Sequence, residues 1–455
     1  MSALLETGRF LSLRFAAARQ RCRLLPNLPT GLLFCFALTT GAQAADLREV
    51  YEQAKQYDAE FQAAQFDLQA ARQRVPLAKS AFRPQISINA EAGINAASSD
   101  GQGSYEDTAL SLSVTQTLFN RSNSKLIEQA ELGVLQAEAQ YAAVGQTLIL
   151  RAATVYFDVL RAQANVEFSQ SELQAISRQR EQAERRFDVG LVPITDVRTA
   201  QAQYDLAVAQ EIAASNQLST AQEALRRISG LEVDLLTPLA SDLPLAAPDP
   251  ADIDTWVELA MDQNLELVIA RLNSQSSSAQ VGIERGNRYP TLDLVGVAAS
   301  NTTEQLGRDD VDASEIKLQL RIPVLTGGRV NAQVAQAKSQ ALSDNQQLIV
   351  QQRTTTQQTR DSYRGVLASI SLVRALRQAL VSTQKSAESA EAGFRAGTRT
   401  SVEVLQALRD TYSARSDYAG SRYDYIINSL NLRAASGTLT EEDLFAINRF
   451  LAFPE

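Results

Sequence analysis

Two periodicities alternate along this chain. Ile86, Ile88, Ala90, Ala92 and Ile94 alternate with polar or small residues, and Leu110, Leu112 and Val114 alternate with Ser111, Ser113 and Thr115. Further on, Leu292 and Leu294, then Ile316, Leu318, Leu320, Ile322 and Val324, interleave with Glu315, Lys317, Gln319, Arg321 and Pro323. Period two over about ten residues predicts strands with one apolar face, the pattern of a membrane-crossing strand that is apolar to lipid and polar to a lumen. Read in isolation, a soluble hairpin with one wet face fits as well. The polar segments 95–104 and 301–313 are the expected hairpin loops.

Between the strands the period changes. No proline lies between Pro84 and Pro193 or between Pro323 and Pro454, and segments 120–188 and 326–395 are rich in Ala, Gln, Leu, Glu and Arg. These are good helix formers, and a helix over 122–188 would be roughly 100 Å long. That exceeds the diameter of an ordinary domain, so such helices belong to a rod or tube. The returning segment carries a heptad-like seam: Val197, Ala200, Tyr204, Ala207, Ala214, Leu218, Ala221, Leu225 and Ile228, interrupted at Glu211. Val404, Ala407, Thr411, Ala414, Tyr418, Ser421, Tyr425, Asn428 and Leu432 repeat it. A 3.5-residue period means helices that supercoil against neighbours, and the small residues in the seam predict close packing. A dimeric rod also fits this seam taken alone.

The two periodicities occur twice in the same order. Ala54 and Ala260, Val75 and Val281, and Pro84 and Pro290 are 206 residues apart; Gly190 and Gly397, Ala200 and Ala407, and Gly230 and Gly437 are 207 apart. A near-constant offset over most of the chain is a duplicated structural unit. The expected organisation is a leader over 1–44, a first repeat over 45–230, a Pro-rich linker over 231–254, a second repeat over 255–437 and a C-terminal segment over 438–455. Each repeat reads helix, β-hairpin (about 85–118 and 291–324), long helix, turn (about 189–196 and 396–401), helix. Thr440 is the expected N-cap of a short terminal helix, with Asp443 in its first turn. Four strands cannot close a spanning barrel, because lipid does not tolerate open edges and the smallest barrels have eight strands. Strands in a membrane would have to share their barrel between subunits.

Composition narrows the setting. Arg9, Arg14, Arg19, Arg21 and Arg23, an apolar stretch over 31–40 and Ala42-Gln43-Ala44 read as a cleaved export signal. Cys22 and Cys35 leave with it, and there is no histidine, so the mature chain has neither thiol nor imidazole. Its 38 basic against 51 acidic residues give a net charge of −13, which disfavours nucleic acid as a partner. No run of 18 consecutive apolar residues occurs, so no transmembrane helix is expected. Nucleophilic triads, imidazole zinc sites, the P-loop and the dinucleotide fingerprint are all lacking. No enzyme activity, cofactor or metal is expected.

Residues 189–197, Val-Gly-Leu-Val-Pro-Ile-Thr-Asp-Val, followed by Ala-Gln-Ala-Gln-Tyr-Asp over 200–205, resemble the first periplasmic turn of the TolC family of outer-membrane efflux and type I secretion channels. Segment 392–400 resembles the second turn, and 289–294, 323–331, 436–439 and 442–444 match further landmarks. The resemblance covers essentially the whole mature chain. It implies a mixed α and β membrane protein, mostly long helices in a periplasmic α-barrel. Four strands per chain would complete a twelve-stranded barrel in a homotrimer. It implies passive conduction from the cell outer membrane through the periplasm, with a periplasmic adaptor and an inner-membrane RND, ABC or MFS transporter as partners. The competing readings, a periplasmic adaptor or a structural coiled coil, account poorly for period-two hairpins in both halves.

The resemblance also assigns residues. Val189, Gly190 and Leu191 on one turn and Gly397 and Thr398 on the other would be adaptor-docking tips. Thr195, Asp196, Phe394 and Arg399 would form the entrance latch, with Arg399 facing Thr195 and Asp196. The family's usual tyrosine is Phe394 here, which cannot donate a hydrogen bond to Asp196, so part of the latch is missing. Glu403 would supply one carboxylate ring at the constriction, while Gln406 stands where the second is expected. One ring still favours cations, less strongly than two.

Overall fold

The computed structural model describes residues 44–96, 104–232, 235–240, 242–303 and 309–451. Nearly all of the expected leader, the tips of both hairpin loops and part of the linker lie outside them. The first half runs α1 (Leu47–Tyr57), α2 (Ala59–Ser80), β1 (Gln85–Ala96), β2 (Ser104–Phe119), α3 (Arg121–Asp188) and α4 (Ile194–Ser229). The second half repeats it: α5 (Ile253–Gln263), α6 (Leu265–Gly286), β3 (Thr291–Thr303), β4 (Val311–Arg321), α7 (Arg329–Arg395) and α8 (Ser401–Ala435), then α9 (Glu441–Asn448).

Where the pattern predicted one helix ahead of each hairpin, the chain makes two. The break is a repeated cap. The Asp58 carboxylate accepts the Phe61 amide at 2.8 Å and the Asn264 carbonyl accepts the Leu267 amide at 2.9 Å. These residues stand 206 apart in sequence. Each satisfies a free helix-start donor and so lets the chain turn a corner without losing hydrogen bonds. Their remaining atoms have diverged: Asp58 pairs with Arg151 at 2.5 Å, while the Asn264 amide donates to the Ala435 carbonyl at 2.9 Å.

The strands form one antiparallel sheet in the order β1-β2-β3-β4. Register decides the faces. Ile86 opposes Val114 and Ile88 opposes Leu112, while Leu292 opposes Leu320 and Leu294 opposes Leu318. Val114 opposes Gly296, which carries the same face from one hairpin to the other. Ser87 against Ser113 and Val297 against Glu315 stand on the opposite face. The apolar face is bare, with Ile88 71% and Ile316 83% exposed. β4 stops at Arg321, short of the expected Ile322 and Val324, because Pro323 has no N–H to give a ladder.

α3 and α7, of 68 and 67 residues, are each roughly 100 Å long. Each contains an 18-residue window apolar enough by composition to cross a membrane. Helices over three times longer than a ~30 Å hydrocarbon layer are not confined to one. The large core lies at their middle, where Tyr156 and Phe157 of α3 meet Leu47 and Val50 of α1, Leu225 of α4, Tyr423 and Leu430 of α8 and Leu444 of α9. The linker is stitched to both ends of the chain there, through Thr237 N to the Ala45 carbonyl at 3.1 Å and Ala240 N to the Phe450 carbonyl at 2.9 Å. Towards the turns the described residues form two small clusters, built largely of alanine. The helices approach closely there but bury little.

Candidate functional site

The two turns that join the long helices have the same backbone. Gly190 has φ 76° and Gly397 φ 74°. Gly190 N donates to the Phe187 carbonyl and Leu191 N to the Arg186 carbonyl, both at 2.8 Å. Gly397 N donates to Phe394 at 3.1 Å and Thr398 N to Gly393 at 2.8 Å. This is the paired 5→2 and 6→1 closure of a helix end, and its left-handed residue strongly favours glycine. An added Cβ would meet nothing within 4 Å at either position. Conformation, not space, selects glycine here.

The side chains differ. On the first turn Val189 is 69% and Leu191 67% exposed, and α4 starts on Pro193 with no side-chain cap. Thr195 is exposed, and its carbonyl accepts the Thr199 hydroxyl at 2.9 Å. On the second turn Thr398 Oγ1 donates to the Gly393 carbonyl at 3.1 Å. Thr400 and Glu403 form a capping box, with Thr400 N to Glu403 Oε2 at 2.8 Å and Glu403 N to Thr400 Oγ1 at 3.3 Å. Glu403 Oε1 takes the Arg399 guanidinium at 2.5 Å. The Thr400 backbone N–H, and after it the Arg399 side chain, hold the Glu403 carboxyl below the usual carboxylate range.

The expected link from Arg399 to Thr195 and Asp196 is therefore not made inside one chain. Among the described residues the carboxylate partner of Arg399 is Glu403, held four residues ahead by the capping box. Asp196 instead accepts the hydroxyl of buried Ser401 at 3.3 Å, tying α4 to α8. Phe394 is 5% exposed and lies beneath Arg186 of α3, whose guanidinium is 4.5 Å from the ring centroid. Gln406 donates its amide to Asp410 Oδ1 at 2.8 Å, so a carboxylate stands one turn further along the helix than the pattern placed it.

Ser401, Arg186 and Asp410 were absent from the predicted site. Ser401 carried a signal, being a hydroxyl where the first copy has Ile194, 207 residues earlier. Asp410 follows Glu403 by one heptad. Nothing in the sequence marked Arg186.

A four-stranded sheet with one bare apolar face, carried on helices about three hydrocarbon layers long that end in tight turns, is the build of an outer-membrane exit duct with a periplasmic helical part. The relatives of the chain establish that class. The family model for outer membrane efflux proteins matches residues 50–231 and 256–438, one match for each copy of the repeat. The chain belongs to that family. It is similar to the outer membrane protein TolC of Vibrio cholerae, at 37% identity over 418 residues, covering 90% of this chain and 95% of that protein. It is also similar to the proteases secretion protein PrtF of Dickeya chrysanthemi, at 25% identity over 89% of this chain and 91% of that protein. In fold it is similar to the Campylobacter jejuni CmeC outer membrane channel, with TM-score 0.73 and 14% identity, over 95% of this chain and 99% of that one.

Proposed function

We propose that the duct is a homotrimer in which three copies of the sheet close a twelve-stranded barrel and the long helices form one tube. The observation that carries this is a pair of open edges. β1 and β4 have no outer neighbour among the described strands, and lipid does not tolerate an unpaired edge. The repeat supports a particular seat for the next copy. α6 packs on both α3 and α7, while its counterpart α2 packs on α3 and leaves Phe66 63% and Leu77 73% exposed. α7 in turn exposes Leu342 at 67% and Val350 at 62%. A neighbouring α7 placed against α2 reproduces the packing that α6 already has. Native mass spectrometry of the detergent-purified protein is expected to give a trimer, and a stable monomer would contradict it.

In this reading 45–230 and 255–437 are the two repeats, and 231–254 with 438–455 form a belt around the tube. The exposed tips Val189, Gly190 and Leu191, with Gly397 and Thr398, receive a periplasmic adaptor. An inner-membrane RND, ABC or MFS transporter supplies the energy, and the cargo is drugs, toxins or secreted proteins. Asp196 anchors the closed entrance, holding Ser401 of its own chain and Arg399 of an adjoining copy, with Thr195 beside it. Phe394 contributes packing beneath Arg186 and no hydrogen bond. Glu403 keeps Arg399 as its ion-pair partner, and Gln406 passes the role of the second carboxylate to Asp410. Reversal potentials in a salt gradient test this assignment. Glu403→Gln should reduce cation preference modestly and Asp410→Asn further; no change in either contradicts it.

A further inference from the structure

We propose that the cavity between α3, α7 and α8, which begins at the last turn of α7 beside the tip, binds a small organic carboxylate that ties the two helical hairpins of one subunit together. The cavity is about 290 Å³ and is lined by Ala175, Arg178, Gln179 and Gln182 of α3, Glu391, Phe394 and Arg395 of α7, and Val404 and Leu408 of α8.

Three arginines near it are ion-paired: Arg180 with Glu184 at 3.6 Å, Arg185 with Glu181 at 3.2 Å and Arg399 with Glu403 at 2.5 Å. Arg178 and Arg395, which rim the cavity, have no carboxylate partner among the described residues, nor has Arg186, which covers the Phe394 ring at its floor. Glu391 is the single carboxylate in the lining. Within an acidic chain this is a local excess of guanidinium. Gln179 adds an independent sign: it is 7% exposed, and its side-chain N–H donors have no acceptor. A buried donor left unpaired is costly, and a ligand oxygen would satisfy it.

The lining also selects the kind of anion. Two guanidinium forks match the planar geometry of a carboxylate. Phe394 and Val404, 5% and 1% exposed, form an apolar floor with Leu408. That floor meets the far side of the ligand, where an inorganic phosphate, polar on every side, would lose hydration that an apolar body does not have to lose. A carboxylate with a small apolar body satisfies both parts. Bound there, it joins α3 to α7 and α8, adding to the contact of Arg186 with Phe394 between α3 and α7, and so stabilises that arrangement with the logarithm of its concentration once that exceeds the dissociation constant.

Isothermal titration calorimetry of the full purified protein with sodium benzoate, at constant ionic strength in chloride, tests this. One saturable site per chain is expected. Arg178→Gln with Arg395→Gln should weaken it by at least ~10-fold and Gln179→Leu by ~3- to 10-fold, with inorganic phosphate not competing. No saturation, an affinity unchanged in the double variant, or equal competition by phosphate overturns the proposal. So does a double variant that loses adaptor capture while the parent shows no benzoate binding, since the cavity is then a protein contact. The titration needs neither adaptor nor gating, so its failure is separate from failure of the duct reading, which the mass of the same sample reports.

Discussion

The two turns share a backbone and almost nothing else. Both close on a left-handed glycine with the same pair of carbonyl bonds. The first leaves Val189 and Leu191 bare, starts its next helix uncapped on Pro193 and exposes Phe187 at 40%. The second spends its polar groups on itself, through Thr398 to Gly393, the Thr400–Glu403 box and Arg399 to Glu403, and buries Phe394. Gly393 permits that self-contact, since a Cβ there would fall 2.6 Å from Arg399 Cγ. A duplicated turn has thus become two surfaces, one apolar and exposed, the other polar and locally satisfied.

The two sides of that division should break differently. The largest effect is expected in adaptor capture, measured by pull-down titration. Val189→Asp with Leu191→Asp should weaken it by more than ~10-fold and Thr398→Asp by less than ~3-fold, because a carboxylate buried against an apolar contact loses its water without a partner, whereas the second turn is already polar. Equal losses would erase the distinction.

A smaller effect is expected in local stability. Thr400→Ala removes the cap of α8 and should cost about 1 kcal/mol, read as faster amide exchange in its first turn. Pro193→Ala, at a position without a side-chain cap, should leave the first turn of α4 within a few tenths of a kcal/mol.

The smallest concerns pH. The Glu403 carboxyl is depressed below its ordinary 4.5 in the folded chain. Its contribution is therefore fully present above that ordinary value and is lost only as pH falls through the lower folded one. Exchange in the first turn of α8 should hold steady from neutral pH to about 4.5 and then quicken in more acid solution, after correction for intrinsic rates. A step at higher pH would place the carboxylate elsewhere.

Much of the architecture could be read in advance because it rests on period. Ile86, Ile88, Leu110 and Leu112 alternate, and the register puts them on one face. The seam from Val404 to Leu432 steps by three and four, and much of it is buried. What escaped was set by single side chains. The corners at Asp58 and Asn264 are caps inside otherwise helical sequence, where neighbouring propensity hides the break. At the site the turns were visible and their wiring was not. Arg399 could reach either Asp196 or Glu403, and the capping box that fixes Glu403 is a matter of helix phase, not of composition. Ser401 was legible only when the copies were laid side by side, opposite Ile194.

In the proposed entrance, Asp196 is where the two halves of the duplicated chain meet to hold the duct shut. The decisive measurement is the single-channel conductance of the reconstituted protein. Asp196→Ala should raise the closed-state conductance several-fold and Ser401→Ala by a smaller factor, the loss of one or two hydrogen bonds worth about 1 kcal/mol each. Ile194→Ala, in the same turn of the same helix, should leave it unchanged. A closed-state conductance in Asp196→Ala equal to that of the parent would contradict the account.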